Sequence, residues 1–130
     1  MTDSQTILGF DYGGVRIGVA RVDTFVKLPE PLGIIATDDW QGLQELVDEH
    51  KPAFLVVGLP RSLDGTQNAQ AAICKQFARD LTDKTGLPTI MQDESLTTVM
   101  ASDARGSKGQ SNLDAQAACI ILEDYLREHV

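Results

Sequence analysis

The stretch Leu8-Gly-Phe-Asp-Tyr-Gly-Gly-Val-Arg-Ile-Gly-Val-Ala20 constrains this chain more than any other. Ile7 to Phe10 is a short apolar run, and Asp11 closes it. Gly13-Gly14 predicts a two-residue hairpin turn with φ > 0 at both positions. Beyond the turn Val15, Ile17 and Val19 alternate with Arg16, Gly18 and Ala20, the period of a half-buried strand. The stretch therefore reads as strand, turn, strand, with an acid near the end of the first strand. A carboxylate there sits beside a sheet core and needs hydrogen bonds or a cation to offset lost hydration. Equally, Asp11 can cap the turn through its own backbone. Both readings stand from this stretch alone.

The remainder alternates helix and strand. Asp23 to Pro31 reads as an irregular connection with Phe25 and Val26 at its tip, and Leu32 to Ala36 as a third strand. Thr37, Asp38 or Asp39 can cap a helix starting near Trp40. Trp40, Leu43, Leu46 and Val47 form its apolar stripe. His50 ends it, where positive charge suits the macrodipole, and Lys51-Pro52 breaks it. Ala53 to Val57 is apolar without alternation, as in a strand buried on both faces. Gly58 to Thr66 is rich in turn formers. A long helix follows from about Gln67 to Lys84, with Ala69, Ala72, Ile73, Phe77 and Leu81 as its buried face and Gly86 as C-cap. Pro88 to Gln92 reads as the last strand, leading to Asp93-Glu94. Ser95 can cap a short helix from Leu96 to about Ala104. Arg105 to Asn112 reads as a loop, and Leu113 to Arg127 as the final helix.

With 130 residues the chain predicts one domain, residues 1–130, with a single core. No apolar run reaches the length of a membrane span. The polar start, Met1 to Thr6, is unlike a signal peptide, and a cytoplasmic location is the expectation. Cys74 and Cys119 fall in amphipathic helical patterns and are expected as buried thiols rather than a disulfide or metal pair. Eleven Lys and Arg against nineteen Asp and Glu give a net charge of −8. Such a surface repels phosphate backbones, so a nucleic-acid partner requires a local site.

Three acids stand out by position. Asp11 lies at the end of the first strand, Glu94 just past the last strand, and Asp114 in the expected first turn of the last helix. The register of Asp114 with Ala118, Ile121 and Tyr125 puts it on the face that packs on the sheet. Taken singly, Asp114 also fits a first-turn acid that compensates the dipole, and Glu94 a solvated loop acid. Jointly, three acids at sheet edges can converge and hold Mg²⁺ or Mn²⁺ through oxygen ligands. Divalent ions so held serve phosphoryl transfer.

Four stretches resemble the YqgF/RuvX family, small bacterial proteins associated with pre-16S rRNA nuclease or Holliday junction resolvase activity. They are Gly9 to Ala20, Val56 to Thr66, Asp93-Glu-Ser-Leu-Thr-Thr98 and Asp114 to Leu126. They occur in the family's order and span nearly the whole chain. The resemblance implies an α/β, ribonuclease-H-like fold: a mixed five-stranded sheet with helices on both faces. It also implies an acidic Mg²⁺ or Mn²⁺ site at Asp11, Glu94 and Asp114, and a pre-rRNA or branched-DNA substrate. Two departures remove positive charge beside that site. Ser95 stands where the family usually has Arg, and the segment from Arg105 to Asn112 holds only two cations, Arg105 and Lys108.

The Gly58–Thr66 loop precedes a helix, where backbone N–H groups and the dipole can meet a phosphate. Arg61 can add a charge-assisted contact, or the loop can be a plain connection turned by Asp64-Gly65. Arg16 can reach a phosphate or pair with a nearby acid. The expected substrate contacts are therefore Arg16, Arg61, Arg105 and Lys108. No Ser, His or Cys constellation suggests a covalent route, and His129 at the chain end is a poor candidate base. Two other classes compare less well. A sugar-kinase-like or actin-like nucleotide binder also opens with an Asp-x-Gly hairpin but needs two lobes, for which 130 residues leave no room. A non-catalytic binding module of the same fold, working with a protein partner, is compatible with the acidity.

Overall fold

The computed structural model describes residues 4–59, 69–93 and 110–129. Five strands form one mixed sheet: β1 (Thr6–Tyr12), β2 (Arg16–Asp23), β3 (Glu30–Ala36), β4 (Phe54–Leu59) and β5 (Thr89–Asp93), in the order β3-β2-β1-β4-β5. β1 pairs antiparallel with β2 and parallel with β4, and β5 pairs parallel with β4. β1, β4 and β5 therefore end on the same side of the sheet, at Tyr12, Leu59 and Asp93.

Among the described residues, three helices cover the two faces: α1 (Trp40–His50), α2 (Ala69–Thr85) and α3 (Gln110–His129). Alternation along the central strands decides what each helix meets. Leu8, Phe10, Ile17, Val19, Leu55 and Val57 pack with Leu43 and Val47 of α1 and with Cys74, Phe77 and Leu81 of α2. Ile7, Ala20, Val22 and Val56 point to the other face and pack with Ala118, Ile121, Leu122 and Leu126 of α3. The expected mixed five-stranded sheet with helices on both faces is the architecture found, and both cysteines are buried free thiols.

Local signals act largely as expected. Asp39 caps α1, its carboxylate accepting from the Gly42 N–H at 2.9 Å. Lys51 ends α1 in the left-handed region, its N–H donating to the Val47 carbonyl, and Gly86 does the same for α2 at φ 75°. β3 begins at Glu30, two residues before the expected start, because a bulge at Leu32-Gly33 lets the strand stay paired with β2; Gly33 supplies the required φ of 134°.

Three expectations need correction. The β1–β2 turn closes without positive φ at Gly13 or Gly14; among the described glycines only Gly33 and Gly86 adopt it. Gly13 is needed for closeness instead: its N–H donates to the Arg16 carbonyl at 3.0 Å, and a Cβ there would lie 2.7 Å from that oxygen. In α2, Ala69, Ala72 and Ile73 face outward, and the buried stripe is Ala71, Cys74, Phe77, Ala78 and Leu81. Positions three and four before Phe77 both neighbour it on a helix; the sheet takes Cys74 and leaves Ile73 in solvent. Finally, α3 starts at Gln110, so Asp114 is in its second turn, beyond the N–H groups that a first-turn acid would serve.

Candidate metal and nucleic-acid site

Asp11 is the last residue but one of β1, in line with Ile7 and Gly9 on the face covered by α3. Its neighbours Phe10 and Tyr12 point the opposite way, onto Phe77. The cross-strand partner of Asp11 is Gly18. A Cβ at position 18 would lie 2.0 Å from the Asp114 carbonyl oxygen and 2.9 Å from the Ala115 nitrogen, so the α3 backbone rests on this glycine. Gly9 works similarly lower down, where a Cβ would meet Leu122 Cγ at 2.6 Å. Isolated glycines inside a strand mark such close approaches, and that signal was present in the sequence. Through Gly18 the fold brings Asp11 and Asp114 to one face, at the end of the sheet where β1, β4 and β5 terminate. In open α/β sheets, ligands bind outside the carboxyl ends of such strands.

Arg16 belongs to the same cluster. Its Nε lies 2.9 Å from Asp114 Oδ2 as an ion pair, with the arginine side chain 42% exposed and the aspartate 21%. The hairpin that carries Asp11 and Arg16 is pinned from both sides. The Thr37 N–H donates to the Val15 carbonyl at 3.0 Å and its hydroxyl to the Gly13 carbonyl at 3.2 Å. From α2, Gln70 Nε2 donates to the Tyr12 carbonyl at 3.4 Å. Neither Thr37 nor Gln70 stood out as a site residue in sequence, since their contacts cross 24 and 58 residues of chain.

β5 ends at Asp93, whose cross-strand partner is Leu59, and alternation with Met91 turns Asp93 toward the α2 face. Gln92, one residue earlier, is buried on the α3 face and donates to Glu128 Oε2 at 2.9 Å. Glu94, Arg61, Arg105 and Lys108 lie outside the described residues, as does the expected helix from Leu96 to Ala104. Of the expected site residues, Asp11, Arg16 and Asp114 are thus the described ones: Asp11 and Asp114 lie on the α3 face about Gly18, and Arg16 pairs with Asp114. Among the described residues no three of His, Cys, Asp and Glu group to hold an ion. Two carboxylates nonetheless suit a hard cation, because Mg²⁺ is commonly held by one or two carboxylates with water and substrate oxygens completing the shell.

The fold as a whole is similar to that of RuvC. The structure of Thermus thermophilus RuvC in complex with Holliday junction substrate superposes with a TM-score of 0.56, covering 95% of this chain and 94% of that one, at 12% identity. This likeness defines the protein as ribonuclease-H-like in fold. Its family follows from sequence: a model described as "RuvX: Holliday junction resolvase" matches residues 5–128, and the chain belongs to that family. Its relatives include the "Putative pre-16S rRNA nuclease" of Paraburkholderia phymatum, 38% identical over 93% of this chain and 84% of that protein. The protein of the same name from Azotobacter vinelandii is 36% identical over 98% of this chain and 97% of that one. No helix among the described residues is long and apolar enough to cross a membrane.

Proposed function

We propose that this chain, acting as one domain over residues 1–130, is a metal-dependent nuclease that hydrolyses phosphodiester bonds in the 5′-end processing of pre-16S rRNA. The observation that carries the reading is the placement of Asp11 and Asp114 on one face, about Gly18, where the parallel strands end. The names of its relatives support the RNA substrate and ribosome biogenesis. Asp11, on the central strand, and Asp114, on the helix above it, are the proposed ligands of Mg²⁺ or Mn²⁺, with Glu94 as the third. When bound, such an ion supplies Lewis acidity for hydrolysis with water as nucleophile. Arg16, Arg61, Arg105 and Lys108 are the proposed phosphate contacts. A cytoplasmic location goes with this reading, and a protein partner bringing basic surface would offset the net charge of −8.

A second reading, resolution of four-way DNA junctions, is favoured by the description of the family. Both substrates present the same phosphodiester chemistry, so one experiment separates them: cleavage of precursor rRNA and of junction DNA, each with Mg²⁺ and with chelator. Cleavage of the RNA alone, lost with chelator, is expected. Asp11→Asn should abolish it while leaving the metal-free melting temperature equal or higher, because removing one of several neighbouring carboxylates relieves repulsion. Retained cleavage in Asp11→Asn, or a large drop in its metal-free melting temperature, would make Asp11 a structural cap.

A further inference from the structure

The Arg16–Asp114 pair places a fixed positive charge on a carboxylate assigned above to a divalent ion. The pair joins two rigid elements. Arg16 opens β2, where its carbonyl accepts from Gly13 and its backbone pairs with Ala36 of β3. Asp114 sits on α3 at the point where that helix rests on Gly18. The guanidinium meets Oδ2 at 2.9 Å through Nε, from a side chain that is still 42% exposed.

Such a contact has two opposite consequences for a metal. A guanidinium can orient the carboxylate and so prepare the site. Alternatively, its charge offsets that of the carboxylate and repels a second cation. The exposure of Arg16 favours the second, because the side chain has open solvent into which to swing. The reach of a long arginine from an anchored backbone would then carry its charge to the front of the site, where a phosphate would lie.

We propose that Arg16 is the resident counter-cation of Asp114 and competes with a divalent ion for that carboxylate, so that it weakens metal loading. The inference rests on the metal-dependent reading above. Arg16 acts through Asp114 and is in that sense a positioning residue whose charge sets how readily the site fills.

The test is Mn²⁺ binding to the full chain, measured by calorimetry and by the electron paramagnetic resonance signal of free Mn²⁺. Wild type is compared with Arg16→Met, Arg16→Gln, Arg16→Lys, Asp11→Asn and Asp114→Asn. Removing one unit charge a few ångströms from the ion should tighten binding at least about threefold in Arg16→Met and Arg16→Gln. Arg16→Lys keeps the charge and should stay near wild type. Unchanged or weaker binding in both neutral variants, with circular dichroism like wild type, would overturn the competition. If only one neutral variant folds, its affinity alone decides. The two levels fail differently. Mn²⁺ affinity unaffected by Asp11→Asn and Asp114→Asn would remove the metal reading and this inference with it. Affinity weakened by those changes but not raised by the neutral Arg16 variants would remove only the inference.

Discussion

The two faces of the sheet use the same alternating strands for different ends. Under α1 and α2 the side chains are large: Phe10, Tyr12 and Trp40 gather around Phe77, with ring centroids 6.1, 4.5 and 5.7 Å from it. Under α3, Gly9 makes room for the Leu122 side chain, and at Gly18 the helix backbone descends onto the strand. Side chains hold the first face together at a distance. The second gives up side-chain volume so that Asp114, a residue of a helix, can reach the level of Asp11, a residue of a strand. Stability should therefore concentrate on the first face and proposed chemistry on the second.

Phe77→Ala should break this contrast most visibly. It removes a buried ring from a cluster of three others, and such truncations cost about 3–5 kcal/mol. Chemical denaturation should show that loss, while metal affinity of the remaining folded protein stays at the wild-type level because Phe77 lies beneath the opposite face. A parallel loss of metal affinity would mean that the faces are coupled through Tyr12.

Gly18→Ala probes the other side. The added methyl would meet backbone atoms of Asp114 that no rotamer change can move, so α3 must shift. Overpacking of this kind costs typically about 1–3 kcal/mol. Unlike Phe77→Ala, it should also weaken Mn²⁺ binding, because the shift separates Asp114 from Asp11. Gly14→Ala is the control: nothing lies within 4 Å of a Cβ there and its φ is not positive. Its effect should stay within about 0.5 kcal/mol, as for surface changes without a special contact.

The smallest expected effect concerns the dry part of the α3 face. Burial, aided by Glu123 and Glu30, pushes the Cys119 thiol up to about 11. In the unfolded chain a thiol ionises near 9, so stability from this group is full below that pH and is lost as pH rises through 11. Denaturation midpoints should decline slightly between these values in wild type and less in Cys119→Ala. A thiol reagent at pH 8 should label the unfolded chain much faster than the native one.

Much of this was legible from local pattern. Period-two alternation around Asp11 located β1 and β2, the apolar run at Ala53 to Val57 located β4, and the stripe from Leu43 to Val47 located α1, because each signal spans only a few neighbouring residues. The helical register of Asp114 with Ala118 and Ile121 foretold which way it faces, since 3.6 residues per turn is fixed by the backbone. The misread details were those in which neighbours along the chain do not decide. Gly13-Gly14 looked like a positive-φ turn, yet what demands a glycine there is the nearby Arg16 carbonyl. Ile73 and Cys74 were equally compatible with the buried side of α2 until the sheet selected one.

By itself the sequence determined the α/β order and the face on which Asp114 lies, because periodicity and capping act over a single turn or strand. Only the tertiary structure decided that Arg16 pairs with Asp114 across nearly the whole chain, that Thr37 and Gln70 pin the hairpin, and that Gly18 is the seat of α3. Those contacts join residues far apart in sequence, and no local propensity encodes them. The Arg16 and Gly18 contacts exist because α3 lies across β1, β2 and β3, and those of Thr37 and Gln70 because the end of β3 and the start of α2 flank the hairpin.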